Sequence, residues 1–159
     1  MRQLLLIAIA IAFLAMGSGI SSGQTSPTKA EIRVLLLNYK TGRPLKGRYV
    51  ELVLSGPDGK YSFRGGNVRG KSDADGVAVF MFEKLPPARV WVLPLDDYEC
   101  AADVEFSTAD ILQHGIAAKY VDDSRCKPHA SSLPDPKPGE VVFPVHRLNL
   151  GQRFWRGLE

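Results

Sequence analysis

Between Glu31 and Leu95 the chain repeats one pattern: a short run in which apolar residues recur at every second position, followed by a cluster of Gly, Pro, Asp or Lys. Alternation of period two is the signature of a strand with one face in a core. Ile32, Val34 and Leu36 share one face and Arg33, Leu35 and Leu37 the other, and apolar residues on both faces predict an interior position in a sheet. "KTGRPLKG" (Lys40 to Gly47) is a punctuated link, after which Arg48 to Leu54 alternates again with Val50, Leu52 and Leu54 inward. "SGPDGK" is a tight turn, and a short strand is expected around Tyr61 to Phe63. Val77, Val79 and Met81 then alternate with Ala78, Phe80 and Phe82, and "LPPA" turns the chain into a further strand, "RVWVLPL". Strands at intervals of about ten to fifteen residues predict an all-β, antiparallel, Ig-like β-sandwich.

The second half departs from that rhythm. "STADILQHG" predicts one short helix, with Ser107 as N-cap, Asp110 in the first turn and Gly115 just past the end. Pro128 to Glu140 is a Pro-rich linker that a central strand does not tolerate. Val141 to Val145 predicts a late strand, and residues 149–159 form a tail containing the apolar pair Phe154 and Trp155. The expected domain therefore spans residues 31–148, with an insertion over 96–138 and a short N-terminal linker over 24–30.

Ahead of the linker, Arg2 precedes the apolar run Leu4 to Met16, and small residues follow to Gly23, the layout of a secretory signal peptide. Cleavage after Gly23 makes Gln24 the mature N-terminus; cleavage after Gly17 is the alternative. Thirteen apolar residues are short of the roughly 20 needed to span a bilayer, so no membrane span is expected after cleavage. No cysteine lies near the cleavage region, which argues against a lipid anchor. The mature chain would hold about 136 residues, enough for one core. Loss of Arg2 leaves 19 basic and 17 acidic side chains, a net charge of +2 against +3 for the whole sequence. That balance, with no basic run, excludes a nucleic-acid partner on charge grounds.

"GGNVRGKSDADG" (Gly65 to Gly76) matches two ligand-binding patterns. Gly65, Gly70, Lys71 and Ser72 have P-loop spacing, but a P-loop needs a helix after the loop. Here Asp73 and Asp75 would repel phosphate, and a strand-forming run follows. Asp73, Asp75 and Gly76 copy part of a calcium loop, yet the matching register places Lys71 and Phe82 where carboxylates are required. A looser calcium site from Asp73 and Asp75 with Asp96, Asp97, Asp122 or Asp123 is the lesser alternative to solvated turn carboxylates. The preferred reading is a turn, with no metal and no cofactor, in which Gly76 supplies a positive φ before a strand.

Cys100 and Cys126 are the only cysteines. In an exported chain they are expected to form a disulfide that staples the insertion to the sandwich. Its loss is expected to loosen residues 100 to 126 first.

"LNYKTGRPLKGRYVELVL" followed by "KSDADGVAVF" resembles the carboxypeptidase regulatory-like domains of the transthyretin (prealbumin-like) superfold, as found in small secreted bacterial proteins. The resemblance covers roughly Glu31 to Leu93 and implies a prealbumin-like sandwich. It also brings in one enzyme alternative, hydroxyisourate hydrolase chemistry. That branch carries a His and an Asp on its first strand, where this chain has Leu35 and Asn38, and a terminal "YRGS", where this chain keeps Arg156 and Gly157 but has Leu158. His114, His129 and His146 are the only other proton carriers of that type, on a helix, a linker and beside a late strand. No G-x-S-x-G elbow supports a serine hydrolase. A self-formed Lys–Asn isopeptide bond would need a lysine in an early strand, and Ile32 to Leu37 has none.

The expected function is thus a non-catalytic binding or structural module, secreted or periplasmic, with a protein or an envelope glycan as partner. Tyr98, Phe154 and Trp155 are the candidate contact residues, because aromatic side chains anchor interfaces. Trp91, on its strand, is expected in the core.

Overall fold

The structure, a computed structural model, describes residues 29–56, 60, 66–84, 86–95, 97–121, 126 and 133–147. In chain order its elements are β1 (Ala30–Asn38), β2 (Tyr49–Leu54), β3 (Val68–Lys71), β4 (Val77–Phe82), β5 (Arg89–Pro94), β6 (Tyr98–Glu99), β7 (Glu105–Ser107), α1 (Thr108–His114), β8 (Ile116–Ala117) and β9 (Glu140–His146). They build an all-β sandwich of two sheets. One runs β4-β1-β9-β6, with β8 also paired to β9, and the other runs β3-β2-β5-β7.

The alternation read from the sequence decides which side chains meet between the sheets. Ile32, Val34 and Leu36 from β1, Ala78 and Phe80 from β4, and Val141, Phe143 and Val145 from β9 face Val50 and Leu52 of β2 and Val90 and Val92 of β5. Phe106 of β7 stands edge-on to Phe143, with ring centroids 6.3 Å apart. Each fully buried aliphatic or aromatic side chain of this kind contributes on the order of 1.5–3 kcal/mol. Leu54 is only half-buried at the margin of this core, whereas its neighbour Val53 is buried on the outer side of its sheet.

Most pairing is antiparallel, as expected, but β9 runs parallel to β1 and to β8. The run Val141 to Val145 is therefore a central strand whose inward and outward residues are both buried. Pro144 is tolerated there for a specific reason. The N–H of Tyr39 reaches Val145 O, so odd-numbered residues of β9 serve β1, while Pro144 O accepts from Cys100 N–H on the other side. The missing N–H of Pro144 faces the junction between β8, which pairs at Val141 and Val142, and β6, which pairs at Val145 and His146. No ladder bond with β1 is lost.

The segment set apart by composition is woven into both sheets. β7 pairs with β5, and β6 and β8 lie end to end along β9. Ile111 of α1 is fully buried in the core. The helix begins and ends as predicted: the Ser107 hydroxyl accepts from Asp110 N–H, and Gly115 at φ 74° donates to the carbonyls of Asp110 and Ile111. Residues 133–139 of the Pro-rich linker contain no strand. The strand expected around Tyr61 to Phe63 lies outside the described residues, and the one found, β3, lies inside the glycine-rich stretch.

Candidate interaction surface

Within "GGNVRGKSDADG", residues 68–71 are thus a strand and residues 72–76 a crossing turn. β3 closes one edge of the second sheet, and Ser72 to Gly76 carries the chain across to β4 in the first. The Ser72 hydroxyl donates to Leu45 O at 2.6 Å and accepts from Arg48 N–H at 2.9 Å. It therefore ties the turn to the "TGRPLKG" link. Asp73 Oδ1 accepts from the N–H of Asp75 and of Val77, both at 2.9 Å, an Asx turn that occupies the carboxylate. Gly76 has φ 80°, and a Cβ there would stand 2.9 Å from Pro44 and 3.0 Å from Leu36 O. The positive φ is as predicted; the close approach of the link was not legible.

Asp97, offered with Asp73 and Asp75 for the looser calcium site, is neither a solvated turn carboxylate nor placed to join them. It is fully buried and held bidentate by the guanidinium of Arg48, with Nε to Oδ2 at 2.6 Å and Nη2 against Oδ1. The pair joins the start of β2 to the chain entering β6. A carboxylate committed in this way offers nothing to a cation from Asp73 or Asp75. Among the described residues no three Asp, Glu, His or Cys side chains converge on a common point. Asp96, Asp122 and Asp123 lie outside the described residues.

The other candidates also have structural partners. Asn38, at one of the hydrolase positions, accepts from Lys40 N–H at 3.0 Å and Thr41 N–H at 3.1 Å through its Oδ1. Leu35, at the other, is half-buried in β1. His146 stacks obliquely on Tyr39, centroids 5.0 Å apart, whereas His114 is exposed at the end of α1. His129, Phe154, Trp155, Arg156, Gly157 and Leu158 lie outside the described residues. Tyr98 lies in β6, in register with His146. Cys100 and Cys126 are both fully buried and bonded, with Cα atoms 5.4 Å apart.

Trp91 corrects its expected place in the core: the inward positions of β5 are Val90 and Val92, so Trp91 is on the outer face, in register with Val53 and Glu105. On the same face exposed Tyr49 receives the Lys71 ammonium 5.1 Å from its ring centroid.

The surface feature that sequence reasoning missed is the margin formed by β4. Most strands that end a sheet here are short or charged: β3 presents Arg69 and Lys71, β6 and β8 have two residues each, and β7 has three. β4 has six residues, "VAVFMF", with no charge, and pairs with β1 over six consecutive residues without a bulge. Its outward side chains Val79 and Met81 are 50% and 64% exposed, the highest values among the large hydrophobic residues described. Natural edge strands usually carry charges, prolines or bulges that discourage pairing. The uncharged run was visible in the sequence, but its position at a margin was not.

No protein-family model matches the chain, and a search of curated proteins finds none that matches it. Among solved structures it is similar to the full-length major pilin SpaD from Corynebacterium diphtheriae, at 14% identity and TM-score 0.41, over 74% of this chain and 29% of that one. It is also similar to the major plantain pollen allergen Pla l 1, at 13% identity and TM-score 0.37, over 77% of this chain and 98% of that one. A third is BcpA, the major pilin subunit of Bacillus cereus, at 16% identity and TM-score 0.36, over 77% of this chain and 31% of that one. The chain thus spans less than a third of the length of either pilin. The similarities are remote, and the sandwich assignment rests on the strand pairing itself.

Proposed function

We propose that this protein is an exported, non-catalytic β-sandwich module that acts by binding or by building structure at the cell envelope or outside the cell, with a protein or envelope glycan as partner. The observation that supports this most is the use made of its buried polar groups. Among the described residues the buried polar side chains are Ser55, Ser72, Asp97, Thr108 and Glu140. Ser55 and Thr108 donate to the carbonyls of Arg89 and Pro87. Ser72 and Asp97 hold the crossing link and Arg48, and Glu140 accepts from Lys137 N–H. Each secures backbone or another structural side chain, whereas a catalytic group is kept accessible to its substrate.

Export and the family resemblance belong to the same reading. The "TGRPLKG" link and the "KSDADG" turn that carry the resemblance to carboxypeptidase regulatory-like domains are in contact at Ser72 and Gly76. A buried disulfide suits an oxidising compartment, and among the described residues no helix is long and apolar enough to cross a membrane. The test is affinity capture from an envelope extract with the purified protein, with and without residues 151–159, alongside an assay for hydroxyisourate hydrolysis. The reading expects specific capture, loss of partners on removing the tail if Phe154 and Trp155 make the contact, and no turnover. Turnover above the uncatalysed rate would refute it.

A further inference from the structure

We propose that the β4 margin is a self-association surface on which a second copy of this chain pairs antiparallel, β4 to β4, extending the first sheet across a two-fold axis. The Leu36 N–H donates to Gly76 O at 2.9 Å. In phase with that bond, the backbone groups of Ala78, Phe80 and Phe82 serve Val34, Ile32 and Ala30, while those of Val77, Val79 and Met81 point away from β1. Val77 is already occupied: its carbonyl accepts from Asp73 N–H at 3.0 Å and its N–H donates to Asp73 Oδ1 at 2.9 Å. Among the described residues none pairs with Val79 or Met81 on that side.

The groups left open define the register. A two-fold axis through the Phe80 pair places Val79 opposite the second copy's Met81, and Met81 opposite its Val79. These are hydrogen-bonded pairs and together make about four inter-chain bonds. Exposed Val79 and Met81 of both copies then cover one another on the outer face. An axis through Val79 would instead spend the open groups of Met81 on Val77, which its own turn has satisfied.

Charge is what favours a second copy over a foreign strand. Val77–Phe82 carries none, so an identical strand meets no like charge along its length, and a strand with alternating charges would gain nothing there. Beyond the strand ends each copy carries exposed Glu83 and Lys84, one acid and one base, near the other's exposed Asp75, so the ends add no net attraction and the uncharged run itself carries the preference.

Sedimentation velocity of the purified protein from about 10 µM to about 0.5 mM, the range fitting a small interface, tests this. A reversible dimer is expected. Val79→Lys and Met81→Glu should each weaken it about tenfold or more, since the symmetry presents each substitution twice. Both side chains point to solvent, so circular dichroism should show the variants folded. The double variant Val79→Lys with Met81→Glu places opposite charges across both pairs and should restore the dimer. A protein that stays monomeric to 0.5 mM, single variants that dimerise like the parent, or a double variant that is not restored would each overturn the proposal. None of these results depends on capturing an envelope partner, so the test stands apart from that of the proposed function.

Discussion

The two margins of the first sheet are finished in opposite ways. Along β9 the chain closes its own edge piecemeal: β8 pairs with Val141 and Val142, β6 with Val145 and His146, and the Cys100–Cys126 bond holds the returning chain in place. Ala101 bridges to Tyr120, and Val121 N–H donates to Cys100 O at 2.9 Å, so a small ladder of its own secures this margin. Along β4 there is a six-residue, uncharged strand paired with β1 on one side and with no described strand on the other. Of the described residues of the second half, β6, β8 and the disulfide secure the β9 margin and β7 joins the second sheet, and none lies along β4. Among the described residues one margin is closed and the other is not, and self-association through β4 rests on that contrast.

The closed margin depends most on the pair that anchors its entrance. Asp97→Ala leaves the Arg48 guanidinium in a largely buried position without its carboxylate, and should cost about 3–5 kcal/mol in a urea titration. Combining it with Arg48→Met should recover a large part of that loss, because no buried charge then remains unpaired. If the double variant is as unstable as the single, the ion pair is not what holds β6 to β2.

Replacing both cysteines by serine should cost about 3.5 kcal/mol in the chain-entropy account, read as a lower midpoint of unfolding. The sequence suggests that all of residues 100 to 126 loosens. The structure narrows this: Phe106, Ile111 and Ala118 belong to the core, so faster exchange should appear at Ala102 and Val121, with α1 and β7 still protected.

On the open side, Gly76→Ala should cost about 2 kcal/mol, from a strained φ and from the crowding by Pro44 and Leu36. Because Gly76 leads directly into β4, thermal denaturation combined with exchange should show the N-terminal end of β4 opening before the rest. An unchanged midpoint would mean that the crossing link does not fix that strand.

The smallest effect belongs to Tyr120 on the closed side. Burial raises its pKa above the ordinary 10.0, and its hydroxyl has no hydrogen-bond partner among the described residues. A raised pKa means the folded protein holds this proton more tightly than the unfolded chain. The resulting stability is fully present below pH 10 and fades as pH climbs toward the folded value. Tyr120→Phe should change stability little at pH 7 and should flatten the decline above pH 10, measured by urea midpoints across that range.

The parts legible in the sequence were those decided locally. Alternation placed β1, β2, β4 and β5, Ser107 and Gly115 bounded α1, and two cysteines alone in the chain had one way to pair. The inward face of β5 was misread, because a bulky Trp91 suggests a core position that Val90 and Val92 in fact occupy. The parts that were not legible are decided by neighbours far away in sequence. Val141 to Val145 reads the same whether it is an edge or the centre, and only the pairing with β1 on one side and β6 and β8 on the other makes it central. Arg48 and Asp97 are 49 positions apart, with nothing in either local pattern to couple them. "VAVFMF" announced a strand, but a strand becomes an edge only when the rest of the sheet is in place.

Amide exchange at two protein concentrations tests the contrast between the margins most directly. The N–H groups of Cys100 and Ala118, which donate to Pro144 and Val142 at 3.0 and 2.9 Å, should be protected equally at about 10 µM and at about 0.5 mM, the range set for the dimer. Those of Val79 and Met81 should exchange quickly in the dilute sample and become protected in the concentrated one. Protection of Val79 and Met81 that is the same at both concentrations, whether high or low, would contradict the account.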